Sequence, residues 1–204
     1  SIGTLPTCSR AADNTYTYAF AGWFDTAAAS GGTKLTTTTK VTSNKIWYAR
    51  WTATYKNYTV TWNGNGGTPS KSSSSFHYNN ALGTLPTATR PGYTFKGWST
   101  SASGSVNVST TTKVTGNVTY YAVWQINSYT LTVTAGTGGT VSGGGTYNYG
   151  ATATLKATPS AGYHFVKWSD GNTNASRTVT AVSYTRLRAH ETLSDLVCRL
   201  LLEK

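Results

Sequence analysis

Tyr58, Val60 and Trp62 alternate with Thr59 and Thr61, and Tyr129, Leu131 and Val133 alternate with Thr130 and Thr132. A period of two marks a strand with one face buried, so both stretches predict half-buried strands. Each is followed by a Gly-Gly pair, at 66–67 and 138–139, whose backbone freedom predicts a hairpin turn. Further along, Tyr120, Ala122 and Trp124 fall on one face of another strand, and Trp47, Ala49 and Trp51 match them. Tyr48 and Tyr121 fall on the opposite face, where a sugar or peptide could stack. The pattern changes only near the end: Leu193, Leu196, Val197, Leu200 and Leu201 follow the spacing of one helical face, which predicts an amphipathic helix there.

The predicted strands recur as part of a longer unit. "IGTLPT" at 2–7 returns as "LGTLPT" at 82–87, "YAFAGW" at 18–23 as "YTFKGW" at 93–98, and "TTTKVTSNKIWYARW" at 37–51 as "TTTKVTGNVTYYAVW" at 110–124. The offsets shrink from 80 to 75 to 73, so the copies differ by short loop insertions. A third, more divergent copy repeats "YTVTWNGNGGT" at 58–68 as "YTLTVTAGTGGT" at 129–140, and "GYTFKGW" at 92–98 as "GYHFVKW" at 162–168. Repetition at this period makes each copy one supersecondary unit. The predicted organisation is therefore a first copy over 1–55 that lacks its opening strand, a complete copy over 56–126, and a divergent copy over 127–183 that lacks a closing strand after Ala181. Residues 184–204 fall outside the repeat. Phe20, Phe95 and Phe165 precede Trp23, Trp98 and Trp168 at equivalent positions, and with Trp51 and Trp124 they form the predicted aromatic core. A Trp that recurs at one position of every copy is more often a packing anchor than a ligand platform.

The linked elements Asn-Gly-Gly, Leu-Pro, Gly-Tyr-x-Phe-x-Gly-Trp and Tyr-Ala-x-Trp, as in "LGTLPTATRPGYTFKGWSTSASGS" and "TKVTGNVTYYAVW", resemble the internalin-type B-repeat of bacterial surface proteins. The resemblance covers residues 1–124 closely, and 129–181 look like the divergent branch of the same repeat. It implies a mainly β fold with little helix, made of small β-grasp-like modules in tandem on extracellular proteins. Residues 182–204, "VSYTRLRAHETLSDLVCRLLLEK", are of another composition, and they resemble the translation of a sequencing adapter, its index and the primer that follows. On that reading 184–204 is a non-native tail, and Cys198, Arg199 and the Leu run carry no biology.

Composition sharpens this picture in two places. Aromatic content of 13% against 11% charged residues says that the chain buries surface through Tyr and Trp and that most of it is ordered. The formal charge is +11, to which the segment from Val182 adds four basic and three acidic residues, leaving +10 on the body. The basic residues are scattered singly, as on an ordinary solvated surface, so nucleic acid is not expected as a partner. No apolar run is long enough for a membrane-spanning helix. Cys8 and Cys198 lie at opposite ends of the chain and build neither a disulfide framework nor a metal site.

Catalysis needs placed acids, bases or nucleophiles, and the body offers Asp13, Asp25 and Asp170 with His77 and His164. Asp13 and Asp25 have no counterparts in the other copies, and His164 stands where Thr94 and Ala19 stand, so no catalytic residue is assigned. "DGNTNA" at 170–175 starts like a calcium loop, yet Ala175 and Ala181 stand where the turn Gly and the bidentate Glu are required, and an Asp-Gly turn explains it better. No enzyme activity, metal or cofactor is expected. The reading that follows is a spacer or adhesive array on a bacterial surface or secreted protein, with host or environmental glycans or other surface proteins as partners. Two alternatives stand beside it: a carbohydrate-binding accessory region of an extracellular enzyme, with Tyr48 and Tyr121 as ligand contacts, and a basic polyanion-binding module.

Overall fold

The structure, a computed structural model, describes residues 2–182 and 185–193, the side chains of 185–187, 192 and 193 excepted. All of its regular elements are strands. Among the described residues there are two compact units: one holds residues 2–65, 69–87 and 98–121, the other 66–68, 88–97 and the described residues from 122 onward.

The first copy contributes β1 (Tyr16–Phe24) and β2 (Tyr48–Tyr55), an antiparallel pair. Its register sets Trp23 opposite Ala49 and Phe20 opposite Trp51, with a bulge between Phe20 and Gly22. The bulge matters because Phe20 and Trp23 are an odd number apart and would otherwise point to opposite faces. Instead their rings meet edge to face at 5.7 Å.

The second copy runs through β3 (Asn57–Asn63), β4 (Thr68–Pro69), β5 (Ser73–His77), β6 (Ala88–Thr89), β7 (Tyr93–Ser99) and β8 (Val118–Ile126). Four of these make a mixed sheet in the order β5-β3-β8-β7, and β4 pairs with β6. The first and last strands of the copy are neighbours and parallel, Val60 opposite Val118 and Trp62 opposite Tyr120. The expected turn at the Gly-Gly pair is present, with Asn65 and Gly66 both at positive φ (47° and 88°). It does not close a hairpin between neighbouring strands. The next strand, β4, holds only two residues and ends on Pro69, which has no N–H to donate, so the antiparallel partner of β3 is β5.

The third copy repeats the plan with β9 (Ser128–Thr134), β10 (Gly139–Ser142), β11 (Gly145–Asn148), β12 (Thr152–Pro159), β13 (Tyr163–Trp168), β14 (Ser176–Thr180) and β15 (Thr185–Leu193). The sheet order β11-β9-β15-β13 matches β5-β3-β8-β7 strand for strand, and a three-stranded sheet β10-β12-β14 stands where β4 and β6 pair. Here the structure corrects the sequence reading. A closing strand does follow Ala181: β15 runs parallel to β9 and antiparallel to β13. It takes in Leu193, which therefore ends a strand, and the rest of the expected helical face, residues 196–201, lies outside the described residues along with Cys198. The ladder is made by main chain, and β9 and β13 each offer it an edge. What the slot demands of the side chains is a small residue opposite Trp168, and Ala189 supplies it, fully buried.

Cores follow from these sheets. In the first unit Trp62 lies between Trp98, at 4.9 Å, and Tyr120, at 5.5 Å, over the buried Val60. In the second, Leu131, Ala153, Leu155, Ala157, Trp168 and Ala189 form one buried cluster with Val133, Val141, Tyr147, Phe165 and Val179 against it.

Candidate functional site

The recurring Trp is held by its polar edge. Trp23 Nε1 donates to the carbonyl of Pro6 at 2.7 Å, and Trp98 Nε1 donates to the carbonyl of Pro86, again at 2.7 Å. Both acceptors belong to the Leu-Pro motif, so the two most repeated elements of the sequence are the two halves of one lock. A buried indole N–H needs such a partner, and the Pro carbonyl, at a position that cannot itself donate, provides it. The third copy has no Leu-Pro, and Trp168 Nε1 donates instead to the carbonyl of Asn174 at 2.9 Å. Trp98 and Trp168 are fully buried, while Trp23, Trp51, Trp124, Phe20, Phe95 and Phe165 are half-buried. Val60 and Trp62, read as one face of a half-buried strand, are buried, and Leu35, Val114 and Leu155 are buried too without having been named as core.

A second lock joins an arginine to the Tyr of the Tyr-x-Phe element. The Arg10 guanidinium sits 3.7 Å from the centre of the Tyr18 ring, and that of Arg90 sits 3.8 Å from the Tyr93 ring. Arg10 and Arg90 both lie three residues after their Thr of Leu-Pro-Thr, so this stacking is as regular as the indole bond, though sequence reading passed over it. Arg50 makes a third such contact, 3.7 Å from the Phe24 ring, and also donates to the carbonyl of Ala28 at 2.9 Å.

The titratable groups are engaged in local structure. Asp13 accepts from the Tyr18 hydroxyl at 2.6 Å and from the amides of Tyr16 and Thr15, which holds its carboxyl below the ordinary range. The same bond raises the Tyr18 hydroxyl. Asp25 is lowered by the amide of Thr33 and by Lys45, 3.0 Å away. For Asp170 burial works against the charge, but Arg177 at 2.6 Å and the amide of Asn172 outweigh it and lower the carboxyl. The Asp170-Gly171 pair forms a turn, with Gly171 at φ 87°. His77 stacks on Tyr55 at 4.6 Å, and His164 is exposed on β13. Among the described residues no three His, Cys, Asp or Glu side chains are grouped to hold a metal ion. Tyr48 is 40% exposed at the start of β2, and Tyr121 is half-buried in β8. These two residues stand at equivalent places in separate copies and are not brought into one site.

With sheet order, locks and core in place, the comparison with known families is direct. Residues 58–123 match the Listeria-Bacteroides repeat domain, and residues 129–193 match the divergent InlB B-repeat domain. The chain belongs to the internalin-type B-repeat family. The second match ends at Leu193, the last residue of β15. No solved structure matches the chain.

Proposed function

We propose that the chain is a load-bearing spacer and adhesive array of a bacterial cell-surface or secreted protein, acting outside the cell and without catalysis. Repeats of the Listeria-Bacteroides type are typical of bacterial surface proteins. The observation that carries the reading is strand direction. In the second and third copies the first and last strands are hydrogen-bonded to each other in parallel, β3 to β8 and β9 to β15. Force applied along the chain pulls such strands past one another, so all their ladder bonds are loaded together instead of being unzipped one at a time. Asp13, Asp25 and Asp170 are likewise engaged in turns and ion pairs, a use suited to a structural element.

Single-molecule pulling on the whole chain tests this. The second copy, β3 to β8, is expected to rupture in one step and release roughly 230 Å of chain, at about 3.3 Å or more per residue. Smooth extension without a discrete event counts against the spacer role. A carbohydrate-binding reading is favoured by one observation, the exposed ring of Tyr48. Glycan binding that is lost in Tyr48→Ala and Tyr121→Ala would establish it.

A further inference from the structure

A single residue joins each copy to the next. β2 ends at Tyr55 and β3 begins at Asn57, while β8 ends at Ile126 and β9 begins at Ser128, so Lys56 and Asn127 are each a whole linker. A linker left free is exposed and spends its polar groups on water. Both of these residues are half-buried, and both are held from two sides.

Toward the copy before it, each linker uses its amide and its side chain. The Lys56 amide donates to the Thr15 carbonyl at 2.8 Å, and the Lys56 ammonium donates to the Asp13 carbonyl at 3.0 Å. The Asn127 amide donates to the Gly92 carbonyl at 2.9 Å, and the Asn127 side-chain oxygen accepts from the Thr94 hydroxyl at 2.7 Å. Toward the copy after it, each linker uses its carbonyl. That of Lys56 faces His77 Nδ1 at 3.4 Å, and that of Asn127 accepts from the Tyr149 amide at 2.8 Å. A lysine and an asparagine share no side-chain chemistry, yet they fill the same three-point arrangement in two joints. The arrangement therefore belongs to the position and not to the residue that happens to occupy it.

Aromatic rings close both joints. At the first, Tyr55 lies between Tyr16 of its own copy and His77 of the next, 4.6 Å from each, and the Tyr58 hydroxyl reaches back to donate to the Asn14 carbonyl at 2.8 Å. At the second, Tyr149 packs directly on Gly92, which stands at φ 73°, and a Cβ on Gly92 would fall against the Tyr149 ring. Both the backbone and the ring of the next copy thus call for glycine there.

We propose that Lys56 and Asn127 are clasps that couple neighbouring copies, so that opening one copy also breaks bonds that hold the next. The stability of a repeat array is the sum of what each copy holds and what its interfaces add, and here the interface is made at the linker itself. The divergent third copy is thereby steadied by the second, through Asn127 and the seat of Tyr149 on Gly92. The inference rests on the joints alone and stands whether or not the array bears load.

Hydrogen exchange on the whole chain tests it. Leu155→Asp puts a charge into the fully buried core of the third copy and is expected to open that copy, as the amides of β12 will report. The Asn127 amide, whose acceptor belongs to the second copy, should then exchange about tenfold faster or more. A second pair of variants reads the joint in the other direction. Gly92→Ala drives a methyl group against Tyr149, whereas Gly83→Ala imposes the same kind of backbone strain in the same copy, at φ 64°, with open space around it. The amides of Tyr149 and β12 should exchange about tenfold faster in Gly92→Ala than in Gly83→Ala, and that excess should vanish when Tyr149→Ala is present in both. Unchanged exchange at Asn127 while β12 is open would overturn the proposal. So would a third copy that responds alike to Gly92→Ala and Gly83→Ala, or an excess that persists without the Tyr149 ring, because the effect would then lie outside the joint.

Discussion

Replacing Glu191 by Trp should stabilise the third copy, and the reason lies in the register of β15. Phe20 stands opposite Trp51 on the β1–β2 ladder, with ring centres 5.4 Å apart, and Phe95 meets Trp124 at 5.5 Å in the second copy. The corresponding partner of Phe165 is Glu191. One carboxylate oxygen accepts from the amide of Gly136 at 3.2 Å, whereas the other, Oε1, is buried with no hydrogen-bond partner. A buried polar atom without a partner costs about 1–3 kcal/mol, and an aromatic pair adds about 0.5–1.5 kcal/mol beyond its area. Allowing for the Gly136 amide, which loses its acceptor, and for the repacking that a larger ring forces near Gly139, a net gain of about 1 kcal/mol is expected. Hydrogen exchange on the whole chain reads this locally: amides of β12 and β13 should exchange about fivefold more slowly in Glu191→Trp, if they open with the third copy. Glu191→Leu, which removes the orphaned oxygen without supplying a ring, should give part of the gain. Unchanged or faster exchange in both variants would show that Oε1 finds a partner in solution and that the slot was never mismatched.

Trp98→Ala should cost about 3–5 kcal/mol in the second copy, since it empties a fully buried site. Trp98→Phe, which keeps a ring but leaves the Pro86 carbonyl without its donor, should cost about 1–3 kcal/mol by urea denaturation. Gly67→Ala should destabilise by about 1–3 kcal/mol, because its Cβ would fall 2.4 Å from the Trp124 ring and 2.6 Å from the Thr89 carbonyl. Gly116→Ala, where the space is open, should stay within about 0.5 kcal/mol of the parent. Because the Asp170 carboxyl is lowered from 3.8 in the folded chain, its contribution is present above that value and is lost as pH falls through the lower folded one. Asp170→Asn should therefore flatten the acid side of the stability profile near the third copy, and an unaltered profile would mean that the Arg177 pair is not formed in solution.

What could be read in advance and what could not separate along physical lines. The period-two runs at Tyr58–Trp62 and Tyr129–Val133 became β3 and β9, because a strand buried on one face must write that alternation into its sequence. Trp98 and Trp168 were recognisable as core by recurrence, and both are fully buried. Pairing was harder. That β3 bonds to β5 and β8, and not to the strand following its turn, is a property of the sheet that no local pattern carries. The indole bonds to Pro6 and Pro86 were present in the sequence as two motifs, Leu-Pro and Gly-Trp, at spacings of 17 and 12, but nothing in their spelling says that one binds the other. The composition break at Val182 was visible, yet it misled about β15, since main-chain bonding requires little of side chains.

That last point explains how one fold holds three unequal copies. The invariant requirements of the closing slot are few: free main chain, and a small residue opposite the Trp, met by Ala49 in the first copy and Ala189 in the third. The Trp that completes the slot two residues on is an addition, present in Trp51 and Trp124 and replaced by Glu191 without loss of the strand. The acceptor of the indole N–H is negotiable in the same sense, a Pro carbonyl twice and the Asn174 carbonyl once. The parallel pairing of first and last strands, by contrast, is kept in both copies that possess both strands. If the array bears load, this is the feature on which it depends, because side-chain locks adjust the strength of a copy while strand direction decides whether force shears the ladder or peels it.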